Sequence, residues 1–251
     1  MALKSTAQDK VLTTPEILEA IFLQLPLTDV LVNAQRINHA WKTLINSSPL
    51  LQRALFFQPE LLPGIEPRIN PLLQQLFPIF FDVPGIGEDN AQYQKMRWAE
   101  DFAALDWNSS NCKQKAYSRA TASWRQMLPV QPPIRTLELI KVTHAQIGDG
   151  QCSGEKVFED GVRMGTLWDL VEDGVKKPIT KFGIKWVGER RAGIVVDLLG
   201  WTNETDGRVF VTLAWTMQCC CDMDNSLGEE FRSDGYEEVK IDVGKEKWSR
   251  H

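Results

Sequence analysis

Leu25 followed by Pro26 sets a hard stop between two helical signals, and no other feature constrains the N-terminal part of this chain as strongly. Proline lacks the N–H a helix needs and pushes the residue before it toward an extended backbone, so no helix runs smoothly through position 26. Upstream, Thr14 is placed to cap a helix through its hydroxyl, Pro15 suits the first helical position, and Glu16 puts negative charge where the helix dipole favours it. Ile17, Leu18, Ile21, Phe22 and Leu25 then recur at helical spacing, leaving Glu16, Glu19 and Gln24 for the polar side. Downstream, Thr28 and Asp29 open a second short helix with Leu27, Val30, Leu31 and Ala34 as its apolar stripe.

The pattern repeats over the next thirty or so residues. Asn38 is placed to cap a third helix, around which Ile37, Trp41, Leu44 and Ile45 share one face. Ser48 and Pro49 form another cap-then-proline signal and open a fourth segment carrying Leu51, Ala54, Leu55 and Phe56. A unit this small buries little surface alone and gains stability by lending part of its apolar face to a partner. Leu25, Pro26 and Leu27 suit such a face best, because a corner exposes side chains that a helix interior would bury. Leu18, Phe22 and Leu44 serve the module's own core or the docking face equally well.

The order of helix, Leu25-Pro26, short helix from Asp29, and Gln35-Arg36-Ile37-Asn38-His39-Ala40-Trp41-Lys42-Thr43-Leu44-Ile45 resembles an F-box. Its continuation from Ser47 to Phe57 resembles the form common in filamentous-fungal F-box proteins, and the likeness covers roughly residues 10–57, about a fifth of the chain. A second, short likeness to the same proteins runs from Ser123 to Ile134 and carries no activity with it. The resemblance implies docking onto the Skp-type adaptor of a Skp–cullin–F-box ubiquitin ligase, a cullin–RING ligase, with the rest of the chain recruiting a protein substrate for ubiquitin-dependent degradation. Carried over by position, Pro15, Ile17, Leu18, Ile21, Leu25, Pro26, Leu27, Leu31, Ile37 and Trp41 are the adaptor-binding residues. Asn38 departs from the family, which often has cysteine or another small residue there.

The remaining chain sorts by composition and period. Gln58 to Pro71 holds Pro59, Pro63, Gly64, Pro67 and Pro71, the content of a linker. The expected division is a helical module at 11–57, a Pro-rich linker at 58–71, and a substrate-recruiting domain at 72–251. Within the last, Pro71 to Phe77 makes a helical turn or two, and residues 117–128 read as a helix with Ala116, Ala120, Trp124 and Met127 on one face. Leu137 and Leu139, the alternating Phe182, Ile184 and Trp186, residues 194–199 and residues 209–217 read as strands. Asn203 to Gly207 reads as a hairpin loop, Val239, Ile241 and Val243 as an edge strand, and residues 165–171 as a helix covering one sheet face. The fold class is therefore α+β: a three- to four-helix module, then an antiparallel sheet with a few helices, and no internal repeat.

Composition narrows the function classes. Hydrophobic residues at 43% and charged residues at 24% match a soluble globular protein. No apolar run approaches a membrane span and no leader precedes the first helix, so the expected location is cytoplasmic or nuclear, and the sequons at Asn46, Asn108 and Asn203 go unused. Acidic and basic groups balance in residues 1–60, so the net charge of -5 lies beyond them, which argues against broad nucleic-acid binding.

Chemistry is sparse. Cys112, Cys152, Cys219, Cys220 and Cys221 lack the separated pairs of a zinc site. Asp222 and Asp224 begin like a calcium loop, but Leu227 stands where glycine is needed and Ser233 where the bidentate glutamate is needed. Only His144 among the three histidines could serve a site in the second domain, and no motif joins it to Cys112. The reading thus holds no catalytic residue, no metal, no cofactor, no membrane and no nucleic acid. Trp201, at a strand-to-loop corner, is the candidate for substrate contact, while Trp186 and Trp215 read as core. Two other functions fit the same residues. One is an adaptor-bound scaffold working outside the ligase, and the other is a small-molecule or enzymatic site in the sheet domain.

Overall fold

The computed structural model describes residues 11–60, 68–81, 96–145, 148–176, 179–187, 207–216 and 247–250. The expected strand at 194–199, the loop at 203–206, Trp201, Cys219, Cys220, Cys221 and the strand at 239–243 lie outside these residues.

The N-terminal module is a run of short helices set by its caps and prolines. Helix α1 (Pro15–Phe22) starts on the proline, with Thr14 at the N-cap position by backbone geometry but no hydroxyl cap bond, and ends three residues before Leu25. A turn leads to Pro26, whose carbonyl accepts from the N–H groups of Asp29 and Val30 at 2.9 and 3.2 Å. The second helix is wound wide, as a π-helix over Asp29–Ala34, before tightening into α2 (Gln35–Ile37). Helix α3 (His39–Ser47) is capped by the Asn38 side chain, which accepts from Trp41 N at 2.8 Å. Helix α4 (Pro49–Ala54) is capped by Ser48, whose hydroxyl accepts from Leu51 N at 3.1 Å. Leu18, Phe22, Val30, Ala34, Ile45, Leu51 and Leu55 form one buried cluster, and Trp41 meets Phe22 edge-to-face at 5.1 Å.

The segment expected to be a linker is fastened in its described parts. Strand β1 (Arg68–Ile69) pairs with the later strand β3 (Val130–Gln131), and Asn70 both caps α5 (Pro71–Leu76) and donates to Leu128 O at 3.2 Å. The Gln131 side chain donates to Gln58 O at 2.7 Å and accepts from Glu60 N at 2.8 Å. These long-range polar contacts make the segment's described parts, 58–60 and 68–71, part of the domain.

Strand β2 (Arg97–Trp98) leads into α6 (Ala99–Ala103). The helix expected at 117–128 is two: Ser110 caps an earlier one, α7 (Asn111–Tyr117), and α8 (Ser123–Gln126) begins only after an intervening turn. Strands β4 (Thr136–Ala145) and β5 (Gly148–Val157) then form an antiparallel pair over ten residues. Helix α9 (Met164–Gly174) carries the chain to β6 (Thr180–Val187), followed by β7 (Arg208–Thr216) and the edge strand β8 (Lys247–Arg250).

The six-stranded sheet has the order β2-β6-β7-β4-β5-β8, and it is mixed: β7 lies parallel to β4 and antiparallel to β6. The expected all-antiparallel sheet is corrected here. Strands β5 and β6 run the same way on opposite sides of the β7–β4 pair, so the connection between them has to cross the sheet, and α9 is that crossover. The crossing is close. A Cβ on Gly174 would stand 2.6 Å from Leu213 of β7, which is why glycine ends the helix there. Leu167, Trp168, Leu170 and Val171 of α9 cover Leu137, Leu139, Phe182, Val209, Val211 and Leu213 of the sheet. Trp168 sits at the centre, with the rings of Phe77, Phe80, Phe102, Trp107 and Trp124 at 4.7 to 6.2 Å. Both α+β layers are thus present, with the helices of residues 71–128 and α9 on one sheet face.

Candidate docking surface

Helix α1 carries two adjacent apolar rows. Leu18 and Phe22 turn inward to the module's core, whereas Ile17 and Ile21, one residue earlier in each turn, face outward at 43% and 40% exposure. Leu25 extends the outer row by another i+4 step at 39%, carried past the end of the helix by the turn Leu25 N→Phe22 O. Pro15 and Pro26 are exposed beside them. Ile37, the last residue before the Asn38 cap, is 61% exposed.

The expected adaptor-binding set therefore divides. Pro15, Ile17, Ile21, Leu25, Pro26 and Ile37 are on the surface. Leu27, Leu31 and Trp41 are half-buried against the module core. Leu18 is corrected to core: at 5% exposure it packs beside Phe22, a shift of about 100° around the helix from Ile17.

The apolar row rests on a rigid base. The Ser48 hydroxyl donates to the Glu19 carboxylate, tying α1 to the start of α4, and Gln52 Nε2 donates to Ile45 O at 2.8 Å. Leu31 and Phe57 pack against both the module core and the core of the second domain. Leu128 N donates to Phe56 O at 2.8 Å, and one guanidinium nitrogen of Arg163 donates to Phe57 O at 2.6 Å and Gln126 O at 2.7 Å. Burial lowers the pKa of Arg163 from its ordinary value, with Asp160 pulling it back up, and the group stays charged. The outer row is thus held in fixed relation to the sheet domain.

A second feature lies on the sheet face away from α9. Trp98, His144, Ile179, Lys181, Ala214 and Thr216 line an open cleft of about 220 Å³. Of these, sequence reasoning singled out His144 alone, because the strand register that brings Trp98 and Lys181 to it has no local signature. Cys112 is exposed on α7 and does not line this cleft. Trp186 and Trp215 pack partly buried against the core, Trp186 donating to Phe80 O at 2.8 Å. No group of three or more histidine, cysteine or acidic side chains fit to hold a metal occurs among the described residues. Nor is any helix there long and apolar enough to cross a membrane. No family model matches the chain, and neither a curated protein nor a solved structure is significantly similar to it.

Proposed function

We propose that residues 11–57 are an F-box-type docking module that binds a Skp-type adaptor, making the chain a substrate receptor of a Skp–cullin–F-box ubiquitin ligase. The observation that carries this reading is the outward row Ile17, Ile21 and Leu25, continued by Pro26, on a module whose own core is already closed by Phe22, Ile45 and Leu51. Apolar side chains in such a row are covered favourably by another protein, at roughly 25 cal/mol for each Å² removed from water. A surface of standard size buries about 1,600 Å² in total, and its central aromatic and aliphatic anchors carry most of the affinity. The contribution of this chain is proximity: the module grips the adaptor, the α+β domain holds the target, and other subunits transfer ubiquitin.

Affinity purification of the full chain, followed by mass spectrometry, tests the reading. The intact chain captures a Skp-type adaptor and a cullin, and the double variant Ile17→Asp, Ile21→Asp captures neither, because each carboxylate would be desolvated in the interface. An adaptor without a cullin would assign the chain to a scaffold outside the ligase. Capture that survives the double variant would remove the outer row as the docking face.

A further inference from the structure

A hydroxyl residue stands directly before proline at two places in this chain, Thr14-Pro15 and Ser48-Pro49, and the fold treats the two differently. Ser48 is closed off. It is 5% exposed, its hydroxyl donates to the Glu19 carboxylate, and the same oxygen accepts from Leu51 N at 3.1 Å. Thr14 lies at the module's surface, half-buried between exposed Thr13 and exposed Pro15. We propose that Thr14 is the phosphoacceptor for a proline-directed protein kinase, and that its phosphate weakens the module's grip on the adaptor. The second part rests on the docking reading above.

A kinase takes its substrate in extended form, and Pro15 holds the residue before it in that region: Thr14 has φ -91° and ψ 110°. A proline-directed kinase covers the next position so closely that a backbone N–H there would go unpaired, and proline has none. Val11, Leu12 and Thr13, which lead into the acceptor, are all exposed, so drawing them out uncovers no buried side chain. In the transfer, Thr14 Oγ1 attacks the γ-phosphorus of MgATP held by the kinase. The Oγ1–P bond forms and the bond from that phosphorus to the β,γ-bridging oxygen breaks. ADP leaves with the bridging oxygen, and the hydroxyl proton passes to the kinase's catalytic aspartate. At Ser48 the same attack would first have to break two hydrogen bonds and open the start of α4, which keeps that pair silent in the folded chain.

The phosphate stands at the head of the docking row. Ile17 and Ile21 follow Thr14 by three and seven residues on one side of α1, with Ile17 about 5 Å further along the axis. The group carries a charge of about -1.5 to -2 at neutral pH, two residues from Glu16. Lys10, the nearest basic residue in sequence, offers a single charge against those of the phosphate and Glu16 together. Covering Ile17 strips water from this anion beside a like charge, and docking weakens. The helix itself tolerates the group, because negative charge at its first turn is favoured.

Treatment of the full chain with MgATP and a purified cyclin-dependent or mitogen-activated protein kinase, in separate arms, tests the acceptor by peptide mass spectrometry. Phosphate appears on Thr14 and not on Ser48. Absence of phosphate from Thr14 in both arms, or modification of Ser48 at an equal rate in the folded chain, would overturn the assignment. Titration of a Skp-type adaptor into the unmodified and phosphorylated chains tests the consequence: affinity falls by roughly tenfold or more, at an unchanged melting temperature. Kinase-treated Thr14→Ala keeps the affinity of the untreated chain, and a loss there would place the effect at another residue and overturn the switch. Equal affinity of the two forms would overturn the switch and leave docking intact. No binding by the unmodified chain would overturn the docking reading and the switch with it, while the mass spectrum alone decides the acceptor.

Discussion

The α+β domain surrounds Trp168 with five aromatic rings and leaves its core side closed, whereas the module at 11–57 seals Phe22, Ile45, Leu51 and Leu55 inside and sets Ile17, Ile21, Leu25 and Ile37 in solvent. Thirteen large apolar side chains are exposed among the described residues, and nine of them fall between Val11 and Leu50. Exposure of this kind is therefore a regional property of the module. Size accounts for part of it, since a unit of about fifty residues has too much surface for its volume to hide every apolar group. Placement accounts for the rest. Three of the exposed side chains repeat at i, i+4 and i+8 on one row, beside a proline corner, as an interface would require and as chance scatter would not.

Substitutions can set the two regions against each other. Trp168→Ala removes the ring on which the whole aromatic cluster rests and costs about 3–5 kcal/mol, seen as a large fall in the denaturant midpoint. Arg163→Met severs the charge-assisted bonds to Phe57 O and Gln126 O, costs about 1.5–3 kcal/mol, and splits one melting transition into two as the module loses its anchor. A single unchanged transition would show that Leu31, Phe57 and the Leu128 N–Phe56 O bond hold the two cores together without Arg163. Ser48→Ala removes the cap on Leu51 N and the bond to Glu19, lowering stability by about 1 kcal/mol in chemical denaturation. The smallest effect is at the surface. Hydrogen bonding from Lys113 holds the exposed Asp106 carboxyl below its ordinary value, so its contribution is present above the unfolded-state pKa and is lost as pH falls through the lower folded value. Asp106→Asn accordingly lowers the melting temperature slightly at neutral pH and meets the wild type at low pH, which flattens the acid side of the profile.

Local signals made much of this legible. The Leu25–Pro26 stop and the caps Asn38 and Ser48 act within four residues of themselves, and each stands where the sequence puts it. The alternation of Phe182, Ile184 and Trp186 and the apolar face of α9 were equally readable, because burial on one face imposes a period. Strand β5 had no such signal: Gly148, Gly150, Ser153 and Gly154 carry no apolar alternation, and pairing with β4 along its length and with β8 over Gly150–Ser153 defines the strand. The parallel β4–β7 pair and the fastened residues 58–60 and 68–70 depend on partners 58 to 73 residues away, beyond any local pattern. In the docking row, spacing identified the apolar residues of α1 but could not separate neighbouring rows, and Leu18 went to the wrong side for that reason. The cleft at Trp98 and Lys181 is a product of register alone.

The central claim is that the outer row of α1 exists to be covered by another protein. Titration of a purified Skp-type adaptor into the full chain and into Leu25→Asp measures it directly. The account predicts saturable one-to-one binding by the wild-type chain and none by Leu25→Asp, with the variant's stability unchanged to within about 0.5 kcal/mol because residue 25 already faces water. Equal affinity for both chains, or no binding by the wild type, would contradict it.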